Sequence, residues 1–296
     1  MAIGDVRAVD GCPGVHYVDT GMYGTAGYGA VYAVDAERPA LVETGIGADR
    51  ERVFALLDAV GIAREELDAV ALTHVHLDHA GGAGFVAEAC PNATVYAHEL
   101  GAPHLVDPSR LVEGTKRAVG DQWQFYADPP PVPERRVVEL GDGDVVDLGD
   151  RRLRAHHAPG HAPHQVVFAD DYTDAVFTGD AAGIWIPERE TVRETTPPPN
   201  FDLERCLADV AMLRDLTPET LLYTHFGPGP DDVDRALDDY RTTLSAWVEE
   251  VAAVHKDQGD EAATIDALVD RADTADVWGA RKARYETAVN VRGALR

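Results

Sequence analysis

The stretch Thr73-His74-Val75-His76-Leu77-Asp78-His79-Ala80-Gly81-Gly82 decides how this chain is read. Three imidazoles and a carboxylate within six residues are a dense supply of nitrogen and oxygen donors for a metal ion. The chain has twelve histidines, and three stand here. Capping and turn duties at a helix start would account for Asp78, but not for all four side chains. Residues 67–72 read as a short buried strand and residues 80–89 as a helix, so the histidines fall in a strand-to-helix loop.

On the N-terminal side, residues 14–19, 29–35 and 40–45 are short apolar runs bounded by Gly, Asp and Pro, the pattern of a β-sheet. Glu43 ends the third run where a strand meets a loop. Two readings stay open for it: a solvated turn acid, or a carboxylate that orients a metal-bound histidine. Residues 49–60 carry Val53, Leu56, Leu57 and Val60 at helical spacing, with Gly61 as the stop.

On the C-terminal side, residues 93–97 read as a strand ending at His98. Residues 99–126 are helical but broken by Pro103 and Pro108. There His104, Trp123, Phe125 and Tyr126 read as packing residues in an aromatic insertion placed to wall a substrate pocket. The proline-rich residues 129–133 are a stiff connector. Strands follow at 136–140, 145–148, 153–157, 165–169 and 175–178. Among them, Ala158-Pro159-Gly160-His161 and Phe177-Thr178-Gly179-Asp180 each put one donor at a strand end. An amphipathic helix at 203–216 precedes a strand that ends at His225. Metal-type residues thus recur four times at the carboxyl ends of apolar strands, where sheets bring side chains to a shared site.

His164 and Tyr223 flank these donors. His164 is open between a support for a ligand, a substrate contact and a buried hydrogen-bonded histidine. Tyr223 is open between facing the site and lying in the core. Beyond Pro230 the pattern is helical only, which divides the chain into a catalytic domain, 1–230, and a helical extension packed on it, 231–296. The extension suits capping or a homodimer contact and suggests no chemistry of its own.

The His-x-His-x-Asp-His run, followed in order by His161, Asp180 and His225, resembles the metallo-β-lactamase superfamily of hydrolases. The resemblance implies an α+β fold: an αββα sandwich of two mixed β-sheets flanked by helices, here with a C-terminal helical appendage. It also implies two divalent ions, zinc first and iron or manganese next. His74, His76 and His161 would hold one, Asp78, His79 and His225 the other, with Asp180 bridging both. A hydroxide bridging such ions is a nucleophile at neutral pH, and Asp78 is placed to shuttle its proton. Asp180 stands where the best-known β-lactamase subclass has cysteine, which favours the glyoxalase II and lactonase-like branch. The expected reaction is hydrolysis of a small-molecule ester, thioester or lactone. No tyrosine follows Asp180 closely, unlike in acyl-homoserine lactonases, and the tail has no basic cluster for glutathione. Phosphodiester hydrolysis by a nuclease of this fold and a mononuclear iron dioxygenase of persulfide type are the alternatives.

Composition narrows the partners. A net charge of −26 over 296 residues, with only Lys116, Lys256 and Lys282 as lysines, resembles proteins of salt-accumulating halophilic archaea. The charge is spread along the chain, so it does not mark a disordered tail. No basic stripe is present for a phosphate backbone, which makes nucleic acid an unfavoured partner. No apolar run approaches membrane-spanning length and residues 1–5 have no signal-peptide pattern, so the cytoplasm is the expected location. Cys12, Cys90 and Cys206 are odd in number and have no paired or metal-type spacing.

Overall fold

The computed structural model describes residues 2–271 and 274–296, and it lays most strands in two large sheets. The first sheet runs in chain order through β1 (Val6–Ala8), β2 (Val15–Asp19), β3 (Ala30–Val34), β4 (Ala40–Val42), β5 (Ala69–Ala71), β6 (Thr94–His98) and β7 (Val137–Leu140). Strands β1 to β4 pair antiparallel, and β4 to β7 pair parallel. In the second sheet, β8 (Val145–Asp147), β9 (Arg152–His157), β10 (Val166–Asp170) and β11 (Ala175–Gly179) are antiparallel. A hairpin of β12 (Ile184–Ile186) and β13 (Thr191–Arg193) follows. Then β14 (Thr220–Tyr223) joins parallel to β11, and β15 (Gly227–Pro228) closes that edge.

Helices cover both outer faces. Between β4 and β7 lie α1 (Arg50–Val60), α2 (Leu77–Ala80), α3 (Ala83–Ala89), α4 (Ala102–Val106) and α5 (Ser109–Val119). After β13 come α6 (Leu203–Asp215), α7 (Val233–Gln258), α8 (Glu261–Val269) and α9 (Ala275–Ala294).

Strand periodicity explains the layers, because successive side chains point to opposite faces. On β4, Ala40 and Val42 enter the core between the sheets, where Tyr32, Leu153, Phe168 and Phe177 also lie. Leu41 points the other way, onto Val53, Leu56 and Leu57 of α1. On the second sheet, Val167, Val176 and Leu221 face Val210 and Leu213 of α6 and Leu237 and Leu244 of α7. The order is therefore helix, sheet, sheet, helix, the αββα sandwich expected. Phe168 and Phe177 are buried between the sheets, and truncating such a side chain to alanine costs about 3–5 kcal/mol. That layer alone can decide whether the fold survives.

One local expectation is revised, and two features are added. The helix read over 80–89 is split at Gly81 and Gly82, where the backbone of residues 44–46 lies too close for a side chain. A Cβ on Gly82 would sit 2.3 Å from the Thr44 carbonyl oxygen, and one on Gly81 would sit 2.9 Å from the Ile46 carbonyl carbon. Strand β1 and the β12–β13 hairpin are additions to the strands read from the sequence. The helical tail also does more than cap. Helices α7, α8 and α9 share a small core of Trp247, Val251, Ile265, Leu268 and Val291. From α9, Trp278 and Ala283 reach Met22, Tyr28, Ile46, Ile184 and Ile186.

No helix among the described residues is long and apolar enough to cross a membrane. The three cysteines are buried and free.

Candidate metal centre

The strand-end donors converge. His74, His76, Asp78 and His79 follow β5, His161 follows β9, Asp180 follows β11 and His225 follows β14. Three overlapping groups form: His74, His76 and His161; His74, His79 and Asp180; and Asp78, His79 and His225. Within each group the ligand atoms lie within 4.8 Å of one another. All seven residues expected as ligands are thus in one place.

The outer nitrogens of four imidazoles are held by the protein. His225 Nδ1–H donates to the Tyr28 carbonyl at 2.9 Å, and His161 Nδ1–H donates to the Thr195 carbonyl at 3.2 Å. His79 Nδ1 lies 3.3 Å from Glu43 Oε1. The Thr73 hydroxyl donates to Glu43 and can accept from His74 Nδ1–H at 3.1 Å. A neutral imidazole has one N–H, so each held Nδ1–H leaves an Nε2 lone pair for the centre. There His74 Nε2 and His161 Nε2 lie 3.0 and 3.1 Å from His76 Nδ1. Lone pairs facing at that distance are unfavourable unless a proton or a cation sits among them. One proton cannot satisfy three nitrogens at once; a divalent ion can.

Asp180 supplies the second argument. Its Oδ2 faces His161 Nε2 at 3.3 Å, while its Oδ1 faces His79 Nε2 at 3.4 Å and His225 Nε2 at 3.5 Å. Asp180 Oδ1 and His79 Nε2 are buried with no hydrogen-bond partner, a cost of about 1–3 kcal/mol for each such group unless something else binds them. The donor set of imidazoles and carboxylates, without thiolate, suits zinc, iron or manganese.

The electrostatics agree with ligand duty. Burial and neighbouring imidazoles hold His74 well below its ordinary range and push His76 down to about 3, so both stay neutral. Burial works against ionisation of Asp180 and Asp78, yet His79 and His225 outweigh it and hold both carboxyls below their usual range. His79 is the exception. Burial opposes its charge, but Asp180, Glu43 and Asp78 together raise it well above a normal histidine.

Of the remaining candidates, Glu43 touches a ligand. It is buried at φ 69°, a left-handed conformation that a non-glycine residue seldom adopts, and its Oε1 also accepts from the Thr224 hydroxyl at 3.3 Å. His164 lies beside the centre and in none of its ligand groups. Its ring is parallel to His74 with centroids 6.1 Å apart, and its Nδ1 accepts the Val75 N–H at 3.5 Å. Tyr223 does not reach the centre. Leu222 takes the inward position on β14, so strand parity turns Tyr223 outward into the core beneath α6 and α7.

Nothing in the sequence marked Tyr28, whose carbonyl holds His225 and whose ring lies 4.8 Å from it. The only local signal was its setting between Gly27 and Gly29. Tyr23 and Tyr126 form a hydroxyl–hydroxyl contact, and Trp123 stacks on Tyr126 at 5.2 Å. The aromatic insertion therefore packs beside the loop that carries Tyr23 and Tyr28.

Residues 24–225 match the metallo-beta-lactamase superfamily. The chain belongs to that superfamily. Over 222 residues it is 26% identical to the metallo-beta-lactamase fold-containing protein ST1585 of Sulfurisphaera tokodaii, covering 73% of this chain and 79% of the relative. The crystal structure of ST1585 aligns with a TM-score of 0.73 at 23% identity, over 96% of this chain and 99% of that one. A metallo-beta-lactamase family protein from Thermus thermophilus aligns at 0.68 and 19% identity, over 96% and 92%. These two structural likenesses establish the fold alone. The human acyl-coenzyme A thioesterase MBLAC2 is 28% identical over 194 residues, 56% of this chain and 63% of the relative. That match spans less than two thirds of the thioesterase. Superfamily membership and the His/Asp cluster together fit a metal-dependent hydrolase.

Proposed function

We propose that this chain hydrolyses the acyl bond of a small-molecule thioester with a pair of divalent ions, zinc by preference, and that ester and lactone bonds are its nearest alternatives. The observation that carries the reading is the division of Asp180, with one oxygen toward His161 and the other toward His79 and His225. One ion would engage one side of that carboxylate. Donor groups on both sides fit two.

Divalent ions bound there supply Lewis acidity toward an acyl oxygen and bring the pKa of water near neutrality. The chain's own residues do the rest. Asp78 stays anionic beside His79 and His225, takes the proton of the attacking water on its carboxylate and passes it to the leaving group. Glu43, the Thr195 carbonyl and the Tyr28 carbonyl fix the rings of His79, His161 and His225, so the donors do not turn during the reaction. Tyr23 and Tyr126, whose hydroxyls meet, lie near enough to Asp78 to feel its charge.

The choice of thioester rests on the relationship to the acyl-coenzyme A thioesterase MBLAC2, which covers 56% of the chain. The test is metal analysis followed by a panel of an acyl thioester, a lactone, a carboxylic ester and bis(p-nitrophenyl) phosphate, in concentrated KCl. Two ions per chain and turnover of the thioester are expected. Turnover of the phosphodiester alone moves the protein to the nuclease-like class. One iron per chain with oxygen consumption replaces hydrolysis by dioxygenation.

A further inference from the structure

Helix α9 lies far along the chain from the ligands, yet its side chains meet the support of one of them. His225 has two contacts with Tyr28: its Nδ1–H donates to the Tyr28 carbonyl at 2.9 Å, and the rings lie 4.8 Å apart at 57°. Tyr28 is in turn held from α9. Its hydroxyl donates to Glu286 Oε2 at 3.1 Å, and its ring meets Trp278 at 5.6 Å. Glu286 is paired with Lys282 Nζ at 2.7 Å, one turn earlier on the helix. Lys282 Nζ also lies 4.6 Å from the centre of the Tyr28 ring and 3.9 Å from that of Tyr23.

Several features make this more than incidental packing. Lys282 is one of three lysines in a chain of net charge −26, and its side chain is only 11% exposed. A partly desolvated ammonium over aromatic faces is held more firmly than an exposed ion pair. Backbone bonds from Ala30 N to Thr224 O at 2.7 Å and from Phe226 N to Gly27 O at 2.9 Å bracket His225 without touching its ring. They bring the two loops together. On the side away from His79 and Asp180, which also face it, the ring meets Tyr28.

We infer that Tyr28 is a positioning residue for the metal ligand His225, fixed in place by the Glu286–Lys282 pair of α9. The C-terminal helix therefore sets the affinity of the Asp78, His79 and His225 group and leaves that of the His74, His76 and His161 group largely alone. The inference rests on the two-ion reading given above. It applies to the chain before any substrate binds.

Cobalt(II) titration of the full-length protein tests it, following the visible absorption bands and the bound metal per chain for wild type, Tyr28→Phe, Glu286→Ala and Glu286→Gln. Wild type is expected to bind two ions. Tyr28→Phe and Glu286→Ala should keep one tight ion and bind the other about tenfold more weakly, the lower end for loss of a ligand's support. Glu286→Gln, which keeps an oxygen to accept from the phenol, should fall between them and wild type. The spectrum should change for one ion only. A purely structural role would lower the metal-free unfolding midpoint and weaken both ions alike, which overturns the inference. Unchanged cobalt binding in both Tyr28→Phe and Glu286→Ala also overturns it while leaving the two-ion reading intact. Wild-type protein that binds no cobalt overturns that reading, and the inference with it.

Discussion

Asp180 Oδ1 and His79 Nε2 face each other at 3.4 Å, both buried and neither hydrogen bonded. Few places in a folded protein leave such a pair unpartnered, and a shared cation explains it without cost. Asp180→Asn keeps the shape and removes the charge that two donor groups share. Metal content of the variant should drop below that of wild type, and thioester hydrolysis should fall at least about a hundredfold, the upper end seen for loss of a mere supporting group. Elemental analysis and initial rates check it. Full metal content with wild-type turnover would remove Asp180 from the site.

Glu43 pairs with His79 and takes the Thr73 hydroxyl while sitting at φ 69°. Strain of that kind costs about 1–3 kcal/mol and persists where the surroundings demand it. Glu43→Gln leaves the backbone as it is but weakens the hold on His79 Nδ1. The expected result is about 10–100-fold weaker metal binding with an unfolding midpoint close to that of wild type. A chelator competition assay beside a thermal melt separates the two effects.

The clustered donors were legible because each stands at the end of an apolar run, so the strand pattern and the donor type point to the same place. His161, Asp180 and His225 needed no long-range knowledge beyond their order. Tyr223 was harder, because one residue of register decides whether a strand side chain faces the site or the helices, and only pairing partners fix that register. Gly81 and Gly82 read as part of a helix since nothing local announces that residues 44–46 cross there. Tyr28 and Lys282 were not legible at all. Their roles exist only because α9 folds back on a loop formed more than two hundred residues earlier in the chain.

Asp209 carries a pH dependence that lies outside the ligand set. Its carboxylate accepts the Gly160 N–H at 2.8 Å, next to His161, and burial pushes its pKa up to about 6 from the ordinary 3.8. A folded-state pKa above the unfolded one means that the native protein prefers the protonated acid. The associated stability is complete below pH 3.8 and is lost as pH rises through about 6. Asp209→Asn cannot ionise and still offers an oxygen to Gly160. Relative to wild type, its unfolding midpoint should be more favourable at pH 8 than at pH 5. Parallel melts at those two values, in one salt concentration, show whether the difference has that sign.

Charge predicts how the fold responds to salt. With 52 acidic and 26 basic side chains, every cation could be paired and 26 carboxylates would still repel one another. Surface pairs such as Arg214 with Asp238 at 2.8 Å are present, but an exposed pair contributes little and fades with salt. Screening therefore removes a small attraction and a larger repulsion. Raising KCl from about 0.1 M to about 1 M shortens the Debye length from about 10 Å to about 3 Å, enough to separate neighbouring carboxylates electrically. The unfolding midpoint should rise across that range, and the rise should be smaller in a variant with several exposed acids replaced by lysine. Sucrose at matched water activity serves as the control for general exclusion from the surface. A midpoint that stays level or falls with KCl would show that the excess negative charge does not limit stability.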